Sequence, residues 1–196
     1  AVPYSLYLIK ISPAGILIWE KAYRNRNSSQ NANGYCVEET SDGGLIITGY
    51  GDFDIPHTST WLLKTDSDGD TLWTKILYGE GGRSVRQTND EGFVITSNLA
   101  GNALLHKTNR DGQLLWTKTF GGNGYDYFGH VYQCSDLGYI INGNSSSFGA
   151  GDEDFWLIKT LPDISDANDE YQTLYSNRLF TNYPNPFNPS TAIKYQ

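Results

Sequence analysis

Carboxylates gather at two places in this chain: Asp52 with Asp54, and Asp152 with Glu153 and Asp154. Paired carboxylates of this kind bind Ca²⁺ or share acid and base roles in hydrolysis. They serve equally as acceptors for backbone N–H groups at the entrance to a strand. The string DSDGD (Asp66 to Asp70) is also oxygen-rich. It lacks the spacing and distal glutamate of an EF-hand, so a plain turn is favoured. His57, His106 and His130 show no HxH or HExxH spacing, and no metal ligand set is assigned to them. Cys36 and Cys134 do not make a disulfide framework, and no base is indicated beside either. Both are expected to be free thiols, buried or partly buried. Ser145, Ser146 and Ser147 lie outside any GxSxG elbow. No cofactor is expected, and Ca²⁺ at the acidic clusters is the only cation the residues suggest.

The elements that must position these groups repeat. YLIKISPAGILIW (Tyr7 to Trp19), WLLKTDSDGDTLW (Trp61 to Trp73), LLHKTNRDGQLLW (Leu104 to Trp116) and WLIKT (Trp156 to Thr160) align, with starts 54, 43 and 52 residues apart. Between them lie YCVEETSDGGLIITG (from Tyr35), RSVRQTNDEGFVITS (from Arg83) and GHVYQCSDLGYIING (from Gly129). In these, Gly44, Gly92 and Gly138 coincide. Each segment reads as a hairpin: a β-branched or aromatic run, a Gly-containing turn, a return strand. One repeat is therefore four short strands, here a, b, c and d. Period and strand count describe a propeller blade. Strands c and d come first, then two full sets, then a, b and c, making about three and a quarter blades over residues 1–160. The expected fold is all-β, a partial β-propeller built from four-stranded blades.

The repeat constrains the chemistry. Seven of the eight lysines fall on two repeat positions: Lys10, Lys64, Lys107 and Lys159 on one, Lys21, Lys75 and Lys118 on the other. A residue present in every blade is architectural, snorkelling along a strand or pairing with a neighbour. Trp19, Trp73 and Trp116 also recur, and are expected to fill the space between adjacent blades. Both acidic clusters fall in the loop between strands b and c, on one rim. The corresponding loop of the middle blade, Asn98 to Asn102, carries no acid, so no complete ring forms. Tyr50, Phe53, Tyr125, Tyr127, Phe128 and Phe148 are read as loop aromatics able to stack on sugar rings.

The 196 residues carry a net charge of −8. That argues against nucleic acid or an anionic membrane as partner. No apolar run approaches the roughly 20 residues of a spanning helix. Neither methionine nor a signal-peptide pattern is present, so the chain reads as a fragment or a processed product.

After Thr160 the composition changes. Residues 161–180 read as a linker, and 181–196 contain NYPNPFNPSTAIKY. The prolines favour an extended lead-in, the asparagines side-chain turns, and Ser190 to Tyr195 alternates as a strand would. This stretch, with Tyr183, Pro184, Asn185, Pro186, Phe187, Asn188 and Pro189 at its centre, closely resembles the opening of the C-terminal sorting domain of type IX secretion cargo. The resemblance implies the first strand of a truncated immunoglobulin-like sorting domain, the type IX secretion machinery as a partner, and a secreted or outer-cell-surface location. The repeats from Tyr7 to Thr160 look like the propeller repeats found in such surface proteins. The function expected is a non-catalytic binding scaffold, with a glycan or another surface protein as ligand. Rim-loop candidates are Asp52, Asp54, Asp152, Glu153, Asp154, Tyr125 and Tyr127. The alternative is an extracellular propeller enzyme, a glycan hydrolase or lyase or a quinoprotein, completed by further blades. Gly69 to Trp73 and Gly112 to Trp116 match the Gly-x-x-x-Trp ending of quinoprotein repeats, although the preceding Asp-to-Gly spacing is one residue short. A third reading is a spacer without ligand.

Overall fold

The structure is a computed structural model that describes residues 6–23, 32–51, 59–149 and 151–162. Asp52, Asp54, Phe53 and His57, the sorting-like motif at Tyr183 to Pro189, and nearly all of the linker lie outside the described residues.

Thirteen strands and no helix are found among the described residues. They form four antiparallel meanders, each in chain order. Sheet 1 holds β1 (Leu6–Ile11) and β2 (Leu17–Tyr23). Sheet 2 holds β3 (Ala32–Glu39), β4 (Leu45–Gly51), β5 (Ser59–Thr65) and β6 (Thr71–Tyr78). Sheet 3 holds β7 (Ser84–Gln87), β8 (Phe93–Leu99), β9 (Asn102–Thr108) and β10 (Leu114–Phe120). Sheet 4 holds β11 (Asp126–Gln133), β12 (Tyr139–Ser145) and β13 (Asp154–Lys159).

Two turn families close the hairpins, and they use glycine differently. In the c–d turns, Gly15, Gly69 and Gly112 take φ of 78°, 79° and 71°, where a Cβ is penalised. In the a–b turns the positive φ belongs to the preceding residue, Gly43 at 79°, Glu91 at 63° and Leu137 at 66°. The recurring Gly44, Gly92 and Gly138 are needed for space instead. A Cβ on Gly92 would lie 2.3 Å from the Thr108 carbonyl oxygen and 2.5 Å from Lys107 Nζ, and Gly44 and Gly138 are equally crowded.

That crowding reveals the role of the strand-c lysine. Lys64 and Lys107 are 5% and 3% exposed. Lys107 Nζ donates to Asp90 at 2.8 Å and to the Thr108 carbonyl at 2.9 Å. Lys64 bonds Asp42 and the Thr65 carbonyl, and Lys159 bonds Asp136 and the Thr160 carbonyl. Each ammonium therefore locks its own a–b turn onto strand c. Lys21 and Lys118, at the second position, reach Asp70 and the face of Trp116.

Successive sheets pack face to face. Leu6, Tyr23, Ile47, Trp61 and Leu63 join sheets 1 and 2. Ile46, Leu62, Leu77, Val85, Phe93 and Ile95 join sheets 2 and 3. Val94, Leu105, Phe128, Val131, Tyr139, Ile141, Trp156 and Ile158 fill the space between sheets 3 and 4. Neighbours such as Ile46 and Ile47 point to opposite faces and are both buried, which is why LIIT and FVIT are continuous apolar runs. The tryptophans bridge sheets: Trp73 meets Phe93 edge-on at 5.9 Å, Trp116 meets Tyr139 at 6.3 Å, and Trp19 lies against Gly69.

Candidate binding surface on the first strands

β3, β7 and β11 are the first strands of their sheets and neighbour one another in space. Their outer edges carry no strand partner in the sheets. Along these strands buried side chains such as Val85, Phe128 and Val131 anchor the sheets, and others face solvent. On β3, Tyr35 is 50% exposed. Arg83, just before β7, sets its guanidinium carbon 5.3 Å from the centre of the Tyr35 ring, within range of a cation–π contact. Tyr127 on β11 is 40% exposed, and its hydroxyl donates to Glu153. Asn144 Nδ2 donates to Glu153 at 3.0 Å and approaches the Tyr127 oxygen at 3.3 Å. The bond to Glu153 raises the Tyr127 phenol above its ordinary range, an effect the nearby Arg83 charge opposes. The same bond holds the Glu153 carboxyl below its ordinary range. Tyr127 thus stays a neutral donor and Glu153 an anion.

A second row runs beside the first. Arg86 Nη1 donates to Glu38 at 2.8 Å, and Tyr132 nearby is 65% exposed. The surface is a ribbon that holds Tyr35, Tyr127 and Tyr132 together with Arg83, Glu153 and the Arg86–Glu38 pair. Flat rings and charged donors suit the apolar faces and hydroxyl groups of sugars. The chain matches no protein-family model. No curated protein sequence matches it either.

The predicted candidates divide unevenly around this ribbon. Tyr127 and Glu153 come together in it. Tyr125 stands apart, 75% exposed, over Gly101. Asp152 is exposed between strands, and Asp154 is not a loop residue: it opens β13 and packs against Gly149. Tyr127 and Tyr50 also belong to strands, β11 and β4. Phe128 is a core residue, 2% exposed, with Trp156 at 5.4 Å and Phe120 at 5.2 Å. Its place in β11 directs it inward because strand side chains alternate. In DSDGD, Asp66 Oδ1 accepts the Asp68 and Asp70 N–H groups and Asp70 pairs with Lys21, so two of the three carboxylates serve the turn and its neighbour. Among the described residues, no three His, Cys, Asp or Glu side chains converge as a metal ion would require. The described cysteines are both free and half-buried.

Two constellations were not anticipated. Asp126 accepts bonds from Ser145, from Ser147 Oγ at 2.6 Å and from the Gly122 N–H at 2.9 Å. Burial opposes its ionisation, but these bonds win and hold the carboxyl low. It staples the loop before β11 to the end of β12, which is what the serine triplet does here. The other is Ser97 Oγ, 2.7 Å from His106 Nε2, with Thr117 Oγ1 2.8 Å from Nδ1. The spacing is that of a nucleophile and its base. Ser97 and His106 are 0% and 1% exposed, so no substrate reaches them. Their signal in the sequence is coincidence: His106 replaces Leu63 and Ser97 replaces Gly49 at matching repeat positions.

Proposed function

We propose that this chain is a secreted or cell-surface protein whose stacked sheets are blades of a partial β-propeller, acting as a non-catalytic binding scaffold. Support for the propeller arrangement comes from the repeat period, the four-strand meanders and the packing of each sheet on the next. The resemblance of residues 181–196 to a type IX sorting domain supports export by that machinery. Binding is assigned to the ribbon of first strands, and the ligand class favoured is a neutral or weakly charged glycan. The observation that carries it is the exposed line of Tyr35, Arg83 and Tyr127 backed by Glu153. Exposed tyrosines held by neighbouring polar groups lose little side-chain entropy on binding.

A glycan array probed with the full chain tests this reading. Binding to a defined subset of oligosaccharides is expected, weakened about tenfold or more by Tyr127→Ala or Arg83→Ala, with unfolding midpoints nearly unchanged. An array without hits, or hits indifferent to both substitutions, would remove the glycan assignment. Slow turnover of a bound glycan would move the protein to the extracellular-enzyme class.

A further inference from the structure

Sheet 1 contains strands c and d of the repeat but, among the described residues, no strands a and b. The other three sheets show what those strands do. Strand b pairs with strand c along its full length, placing Ile46 opposite Lys64, Val94 opposite Lys107 and Ile140 opposite Lys159. The aspartate of the a–b turn takes the strand-c lysine, as Asp42, Asp90 and Asp136 do. A third contact ties each a–b turn to the sheet that follows. Gln87 Oε1 accepts the Ser41 N–H at 2.7 Å, and Gln133 Oε1 accepts the Asn89 N–H at 2.9 Å.

All three contacts have a half in sheet 1 and its neighbour without the other half. β1 offers one hydrogen-bonding edge, since among the described residues it pairs only with β2. Lys10 stands at the position of Lys64 and Lys107, yet no described carboxylate lies within ion-pair distance; it makes a long bond, 3.4 Å, to the Ser67 carbonyl and hovers 5.9 Å from the Trp19 ring. Glu39 stands at the position of Gln87 and Gln133, exposed at the end of β3. Between β1 and β3 runs a groove of about 370 Å³, lined by Leu6, Tyr7, Leu8, Gly34, Val37 and Ile47 among others. It lies along the open edge of β1, facing β3.

We propose that the β1 edge is a docking site for a β-hairpin of the a–b type: a Thr-x-Asp-x-Gly turn followed by a β-branched strand. The strand adds to β1, its aspartate pairs with Lys10, a turn N–H bonds Glu39, and its apolar side chains fill the groove. Edge addition supplies main-chain hydrogen bonds, and the charged anchors set register. The occupant is not a second copy in its folded form, because the three a–b hairpins described in this chain are already engaged by β5, β9 and β13. It is a hairpin with no strand c of its own. The groove shares Tyr35 with the tyrosine ribbon, but Lys10, Glu39 and the edge of β1 lie outside it, so loss of hairpin docking and loss of glycan binding are distinguishable.

The test uses the full chain and two sources of hairpin. One is a synthetic peptide with the sequence of Arg83 to Asn98. The other is the same sixteen residues fused through a flexible linker ahead of Ala1. Amide exchange of β1 (Leu6–Ile11) is followed by mass spectrometry. Slowing of β1 exchange by about tenfold or more is expected with either source, with exchange in β8 and β9 unchanged. The peptide carrying asparagine in place of Asp90, or the chain with Lys10→Gln, should bind about fivefold to tenfold more weakly, and Glu39→Ala a few-fold more weakly. Unchanged β1 exchange with both sources would overturn the proposal. So would protection insensitive to Asp90→Asn and Lys10→Gln, or sedimentation showing that β1 is covered by self-association without any hairpin.

Discussion

His106 is an ionisable group placed where a leucine would serve. Burial lowers its pKa from 6.5 to about 4, so the folded protein holds it neutral. The unfolded chain takes up a proton below about 6.5 and the folded chain does not until near 4. Stability is therefore complete above the upper value and is lost as pH falls through this window, by on the order of 3 kcal/mol. Asp42, held down to about 2 by the Thr40 hydroxyl with Lys64 adding to the effect, acts at lower pH. Its contribution is present above 3.8 and fades as pH drops toward 2. Urea unfolding between pH 7 and 4 should show a falling midpoint for the native chain. His106→Leu should flatten that limb, leaving the contribution of Asp42 to be lost below pH 4. An unaltered limb in that variant would assign the effect elsewhere.

At the scale of the element, the a–b hairpins carry opposite constraints on adjacent residues. Leu137, 44% exposed, sits at φ 66°, a conformation costing a side-chain-bearing residue roughly 1 kcal/mol. Leu137→Gly should therefore raise stability by a few tenths to about 1 kcal/mol. Gly92, one step further along the equivalent turn, is not in the left-handed region and has no room. Gly92→Ala should cost about 2 kcal/mol or more, because the Lys107 ammonium must leave its carbonyl and carboxylate partners. Denaturant midpoints of the two variants check both signs. The rest of the turn is legible from residue types: Asp at one position and Gly two positions later recur in all three hairpins. The sequence marked the strand-c lysines as part of the frame without naming their partners, and the structure supplies them: Asp42, Asp90 and Asp136.

For the molecule as a whole, stability rises toward the middle. Sheets 2 and 3 are covered on both faces, whereas the outer face of sheet 4 leaves Ile140, Leu157 and Phe155 partly or largely exposed. Sheet 1 has two strands, and a two-stranded sheet is marginal by itself. In such a stack each sheet depends mainly on its neighbours, so opening begins at the ends. Native-state amide exchange should be slowest in β4, β5, β8 and β9, and faster by about a hundredfold or more in β1 and β2. Uniform protection across all four sheets would instead describe one cooperative unit.

The 2, 4, 4, 3 grouping and the turn positions were readable along the chain, because hairpins are local and the repeat shows them several times over, but the strands reach further than the sequence marked, taking in Tyr50, Tyr127 and Asp154. The sequence could also mark which residues belong to the frame. It could not say that Tyr127 meets Glu153, that Arg83 covers Tyr35, or that Ser97 and His106 close on each other in a sealed interior. Those contacts join residues far apart in the sequence or on different strands. The first and third are set by strand register within sheets 4 and 3, and the second by the stacking of sheet 3 on sheet 2. Phe128 shows the rule most simply: an aromatic just after a glycine-rich stretch looks like a loop residue, and only the packing of β11 against β8 and β9 turns it into core.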